Sequence, residues 1–212
     1  MRPDLDLLER WLAGWSLARG LPLPQREGGG LVVEVGWPEQ LRRHVFVDAG
    51  SALQACAARI GQAGIYLKAA VDAETLRRAL PARWTMEQAR YLMHRSAPMT
   101  AQAAAPAAYA MRAGREHGAH VVRCVDADGQ TAALGRLVLH GGTAIFDRIE
   151  TMEGHRRQGL ATAVMCALDA LAVADGHAAE RLLVATEAGR ALYASLGWQV
   201  LAPYSTAVLG RG

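Results

Sequence analysis

Lysine is almost missing from this 212-residue chain: Lys68 is the single one, and arginine carries nearly all of the 23 basic side chains. With 20 acidic residues the formal net charge is only +3, and no stripe of basic and aromatic residues appears, so no nucleic-acid partner is expected. No apolar run approaches the roughly 18 residues that would span a bilayer, so no membrane partner is expected. The first twenty residues carry Asp4, Asp6 and Glu9 without an unbroken apolar core, so no secretory leader is expected. Three cysteines, Cys56, Cys124 and Cys166, are odd in number and far apart, which suits small buried residues in a reducing, cytoplasmic setting. The 7 histidines lack cysteine or carboxylate companions at ligand spacing, so no metal is expected. Two phosphate-binding signatures are also missing. No lysine follows Gly159, which rules out a P-loop, and Gly159 lacks the companion glycines of a dinucleotide fingerprint.

What is present is concentrated in the second half. A strand-like stretch, Ala144 to Met152, leads into His155-Arg156-Arg157-Gln158-Gly159-Leu160-Ala161. A helix pattern follows, with Leu160, Val164, Leu168 and Leu171 on one stripe and a stop near Asp175-Gly176. Amides at a helix start have no partner within the helix, so they can be offered to an anion. Arg156 and Arg157 add positive charge there, and Gly159 and Ala161 keep side chains clear of the backbone. Next come a short apolar strand pattern at Arg181 to Ala185 and a helix from Glu187 to Leu196, stopped by Gly197. Two last strands are expected at 198–201 and 205–209, broken at Pro203. Upstream, strands at 120–125, 132–139 and 144–152 are joined by Asp128-Gly129 and by Gly141-Gly142, an antiparallel meander.

Two motifs in this order carry a family resemblance. Arg156, Gly159 and Ala161 match Arg-x-x-Gly-x-Ala, and Ala191 to Trp198 (Ala-Leu-Tyr-Ala-Ser-Leu-Gly-Trp) matches Ala-x-x-Leu-Tyr-x-x-Leu-Gly-Phe/Trp only from Leu192 onward. Together they resemble the acetyl-CoA loop and the catalytic-tyrosine helix of the GNAT superfamily of N-acetyltransferases, over about residues 107–212. The resemblance implies an α/β (α+β) fold with a mixed, mostly antiparallel sheet flanked by helices, splayed open between the strand ending at Met152 and the strand at 182–185. It implies acetyl-CoA as co-substrate, with the pantetheine arm on the backbone of Thr151 and Met152. The pyrophosphate would sit on the amides of Arg157, Gln158, Gly159, Leu160 and Ala161, with Arg156 and Thr162 close by and Thr186 at the site often held by asparagine. Tyr193 would be the general acid. A phenol, with a reference pKa of about 10, can hand a proton to a departing thiolate.

The base is expected at Glu150, on the strand feeding the loop. Asp147 lies three residues away and so faces the opposite side of a regular strand unless a bulge intervenes. Glu153 stands where the family often has proline and places a negative charge near the phosphates. The expected reaction is direct acetyl transfer to the primary amine of a small-molecule or amino-acid-like acceptor. The alternative is a catalytically silent acyl-CoA-binding module of the same fold. Strand exchange or edge pairing could make a homodimer.

The first half is expected as an α/β region over residues 1–100, ahead of a 101–212 acetyltransferase domain, with the Ala-rich stretch 100–108 as junction. A helix over 5–18, strands at 31–35, 45–47, 65–69 and 91–94, and helices at 51–60 and 72–80 are expected there. The order strand 65–69, helix 72–80, Trp84, strand repeats as strand 182–185, helix 187–196, Trp198, strand. A decayed GNAT-like unit without the phosphate motif or the tyrosine would account for it, giving two such units in tandem.

Overall fold

Both halves of the chain contain the run strand, strand, strand, helix, strand, helix, strand in the computed structural model, which describes residues 3–176 and 179–210. The first half opens with helix α1 (Leu5–Leu17), then β1 (Gln25–Glu27), β2 (Gly30–Glu34), β3 (Arg42–Phe46), α2 (Ser51–Arg59), β4 (Ile65–Ala69), α3 (Ala73–Ala79), β5 (Thr85–Met86) and β6 (Arg90–Arg95). The second has β7 (Ala110–Glu116), β8 (Ala119–Val125), β9 (Thr131–His140), β10 (Thr143–Thr151), a 3-10 turn (Glu153–His155), α4 (Leu160–Ala174), β11 (Glu180–Thr186), α5 (Glu187–Ser195) and β12 (Gln199–Leu209).

All strands join one sheet in the order β1-β2-β3-β4-β12-β6-β11-β10-β9-β8-β7, with β5 added beside β12. β3 and β4 are parallel across the α2 crossover, as β10 and β11 are across α4; β1, β2 and β3 form an antiparallel meander, as β8, β9 and β10 do. The last strands are exchanged. β6, from the first half, lies against β11, and β12 lies against β4. The pair meets at the centre with a two-fold relation: Thr85 and Met86 pair with Val208 and Ala207, while Gln199 and Val200 pair with His94 and Met93. Trp84 and Trp198 precede these strands and are both buried. The tandem GNAT-like architecture is therefore built into a single sheet, and strand 90–95, upstream of the expected junction, is a central member of it.

Packing follows from the alternation of each strand. On one face α4 and α5 cover a core with Phe146, Leu183, Met93 and Trp198; on the other, α1 buries Leu8, Trp11, Leu12 and Trp15 over Ile145, Leu182, Leu92 and Tyr204. A third cluster lies under α2 and α3. Asp4 caps α1, and Asp72 caps α3 by accepting from Thr75 N (2.8 Å). A fully buried ion pair, Arg181 to Asp169 (2.5 Å), ties β11 to α4, and the other Asp169 oxygen accepts from Met99 N (2.6 Å).

Three elements differ from expectation. β12 is one strand through Pro203, not two, because the register shifts between Val200 and Ala202, and proline is tolerated beside such a bulge. β1 and β7 arise where no strand was expected, and they form the two exposed edges of the sheet.

Candidate active site

β10 and β11 pair only through Thr143 to Ile145 against Glu180 to Leu182, and then part. The gap opens a cleft of about 1040 Å³, whose walls are residues 146–151 on one side and Leu183, Val184 and Thr186 on the other. Its length is bounded by Arg156, Arg157, Gly159 and the first turn of α4, and by α5 with Tyr193.

The phosphate turn is shaped by two left-handed residues, Arg157 (φ 63°) and Gly159 (φ 78°). An added Cβ at Gly159 would meet nothing within 4 Å, so the turn is open on that side. α4 begins with no side-chain cap and no acidic residue in its first turn, and its first helical bond is Ala163 N to Gly159 O (3.0 Å). The amides of Leu160, Ala161 and Thr162 therefore face the cleft with the positive end of a 15-residue helix behind them. That end favours an anion by about 0.3–1 kcal/mol when exposed and up to about 2 when partly buried.

Thr151 pairs with Ala133 of β9, but the neighbouring amide, Met152 N, donates to Ala132 O (2.8 Å). In an antiparallel ladder alternate residues turn their N–H and C=O to opposite edges. Thr151 thus offers its backbone to the cleft. Met152 does not: its carbonyl accepts from His155 N (2.9 Å), it is absent from the cleft wall, and its side chain is exposed. Gln158 is absent from the cleft wall, and its side chain is held outside it, with Oε1 accepting from Tyr109 Oη (2.9 Å). Glu153 lies in the exposed 3-10 turn and does not line the cleft, so its charge stands off from the phosphate turn.

Tyr193 lines the cleft while only 7% exposed. Its ring lies over Gly189, where a Cβ would come within 3.0 Å of Cε2, so a larger residue would push the ring. Thr186 caps α5 by accepting from Gly189 N (3.1 Å), which fixes that turn. Burial raises the phenol pKa well above its ordinary value, and the nearby Asp147 charge adds to the shift. The hydroxyl stays protonated throughout the neutral range.

Both carboxylates of β10 reach the cleft, because the register shifts between Asp147 and Glu150 and Arg148 adopts φ 50° there. This is the bulge that the three-residue spacing required. Asp147 is held by a bidentate ion pair with Arg19 (2.5 and 3.2 Å) and is largely buried. Glu150 is half exposed and pairs loosely with Arg148 (3.4 Å). Three cationic cleft residues carry no signal in the sequence: Arg148 on β10, and Arg19 after α1 and Arg90 on β6, the last two supplied by the first half. No group of metal-ligand side chains occurs among the described residues. No described helix is long and apolar enough to cross a membrane.

A family model, the acetyltransferase (GNAT) family, matches residues 76–198. The chain belongs to the GNAT acetyltransferase family. None of the curated proteins matches it in sequence. Among solved structures, a GCN5-related N-acetyltransferase from Kribbella flavida superposes with a TM-score of 0.64 at 14% identity, covering 93% of each chain. A GNAT-family protein from Novosphingobium aromaticivorans gives 0.60 at 17% identity, covering 97% of this chain and 98% of the other. A tandem GNAT protein from the clavulanic acid biosynthesis pathway gives 0.53 at 14% identity over 75% of this chain and 68% of its own. At these identities the likeness establishes the GNAT fold, and the family match spans the cleft walls on β10 and β11, the turn before α4 and Tyr193, but not Arg19.

Proposed function

We propose that this GNAT protein transfers the acetyl group of acetyl-CoA to a primary amine by direct attack on the thioester. The observation that carries this reading is the coincidence, in one cleft, of an uncapped helix start at Leu160 to Thr162, an unpaired backbone edge at Thr151 and the buried hydroxyl of Tyr193. The pyrophosphate belongs on the amides of Gly159, Leu160 and Ala161, with Arg156 and Arg157 supplying charge and the Thr162 hydroxyl at the rim. Thr151 pairs with the pantetheine arm like an added strand. This leaves the thioester toward the closed end of the split, between Asp147 and Tyr193.

The amine forms a bond to the acetyl carbon, and collapse of the tetrahedral intermediate expels CoA thiolate. Tyr193 Oη donates its proton to that sulfur and later recovers one from water. The ammonium proton of the acceptor leaves through water on the Glu150 side of the cleft, because both carboxylate oxygens of Asp147 are already engaged by Arg19. Asp147 is a positioning residue: it fixes Arg19, and its charge helps to keep Tyr193 protonated. Thr186 holds the α5 turn under the tyrosine.

The test is Tyr193→Phe. Turnover, followed by thiol release, should fall by roughly 10²–10⁴ while the acetyl-CoA dissociation constant is unchanged. Undiminished turnover removes Tyr193 from the mechanism. Acetyl-CoA binding without thiol release for any amine would make the protein a silent acyl-CoA-binding module instead.

A further inference from the structure

The first half contributes a set of cations to one face of the sheet that the acetyl-CoA site does not use. On the α1 face, Arg43 of β3, Lys68 of β4 and Arg90 of β6 lie on successive strands with Tyr204 and Thr206 of β12 between them. Arg43 and Lys68 are only 8% and 7% exposed. Arg19 joins them through Trp15, whose ring lies under both guanidinium groups, 4.4 Å from Arg19 Cζ and 3.6 Å from Arg43 Cζ.

Their partners are too few for their charge. Arg43 donates to Gln40 Oε1 (3.2 Å), and its Nε has no partner; Lys68 Nζ donates to Thr206 Oγ1 (2.7 Å). The Tyr204 hydroxyl, on a residue 1% exposed, is also without a partner. Among the described residues no carboxylate forms an ion pair with Arg43, Lys68 or Arg90, and Arg19 has Asp147 alone. Glu87 is the carboxylate whose charge reaches Lys68, and Asp147 is the one whose charge reaches Arg19 and Arg43. Burying charge without compensation is costly, and such a set persists where a ligand supplies the missing charge. Burial pushes the Arg43 pKa down to about 10, and that of Lys68 falls further below its ordinary value with Arg43 and Arg90 adding to the effect.

The cluster abuts the cleft, because Arg19, Arg90 and Asp147 line its wall. The phosphate turn has its own arginines at the other end of β10, Arg156 and Arg157. We propose that the acceptor is an anionic amine, an α-amino acid or close analogue, whose carboxylate docks on the side of the cleft lined by Arg19 and Arg90, in front of buried Arg43 and Lys68. This rests on the acetyltransfer reading and names its acceptor class.

The experiment compares α-amino acids with their decarboxylated amines in the thiol-release assay, using the full chain, Arg90→Gln and Lys68→Met. At least a tenfold higher kcat/KM is expected for the amino acid of a productive pair. Each variant should lower that value about tenfold and leave the decarboxylated amine and the acetyl-CoA KM unchanged. Arg90 is exposed, so its variant reports even if Lys68→Met folds poorly. Equal turnover of both members, or variants that depress both alike, would overturn the carboxylate site while leaving acetyl transfer standing. No thiol release with any amine would overturn the acetyltransfer reading and this inference with it.

Discussion

The two halves share a topology but differ at the strand pair that matters. β3 and β4 stay paired along their whole length, Arg42 to Phe46 against Ile65 to Ala69, whereas β10 and β11 part after three residues. The turn before the crossover helix differs in the same sense. Before α4 it is long, left-handed at Arg157 and Gly159, and flanked by cations; before α2 it is short, and Asp48 accepts from Gly50 N (2.8 Å), so a carboxylate occupies the amide that a phosphate would need. α3 has no tyrosine where α5 carries Tyr193. A GNAT-like unit becomes a site only where the sheet splits and the helix start is left open. The first half has neither and contributes something else: a central strand, the α1 cover and the cations Arg19 and Arg90 that line the cleft.

The largest test of that division is to separate the halves. Residues 101–212 alone would lack β6, which pairs with β11 and β12 and buries Leu92 and Met93 completely. They would also lack α1 over Ile145 and Leu182, and the Met99 amide on Asp169. Two unpaired strand edges and an uncovered apolar face favour aggregation. The fragment should show no cooperative thermal transition and no acetyl-CoA binding. A folded, binding fragment would restore 101–212 as a domain in its own right.

A smaller effect separates the two crossover turns. Valine at Gly159 would hold a β-branched residue at φ 78°, a strain of about 1–3 kcal/mol, and would place its side chain where the anion approaches. Acetyl-CoA affinity should fall roughly tenfold or more, since about 1.4 kcal/mol is a factor of ten. Asp48→Ala, in the matching turn of the first half, should leave that affinity as it is. Calorimetric titration of both variants decides the point, and a loss in Asp48→Ala would mean that the first-half turn also serves the cofactor.

Much of the catalytic half was legible because its signals are local. Periodicity in Leu160 to Leu171, the Gly197 stop and the order of the two motifs all lie within short windows. The repeat was visible for the same reason, as Trp84 and Trp198 stand at the same point of each unit. The strand exchange was not, because β6 meets β11 about 90 residues away and no local pattern chooses between neighbours. The bulge at Arg148 was hidden too, since arginine gives no sign of a positive φ. Met152 was misjudged by one position. The ladder phase that turns Thr151 inward and Met152 outward is set by β9, and a one-residue slip exchanges the two.

The smallest effect is the most discriminating about why the first half keeps its cations. Lys68 donates one hydrogen bond to Thr206 and loses its hydration, beside Arg43 and Arg90 and with Glu87 as the nearby anion. Replacing it by methionine removes that desolvation cost but leaves the Thr206 hydroxyl without its partner, so the net gain in stability is on the order of 1 kcal/mol. For a chain of this size that is about 2–4 °C in Tm. The sign of the pH dependence follows from the lowered pKa of Lys68 in the fold. Above the unfolded lysine value, about 10.4, both states hold a neutral amine and the linkage costs nothing. As pH falls, the unfolded chain takes up the proton first, which destabilises the parent protein and not the variant. The Tm advantage of Lys68→Met should therefore be larger at pH 7 than at pH 10. An advantage that is flat with pH, or a loss of stability at pH 7, would show that Lys68 is a structural residue of the first half and would remove the reason to assign its charge to a ligand.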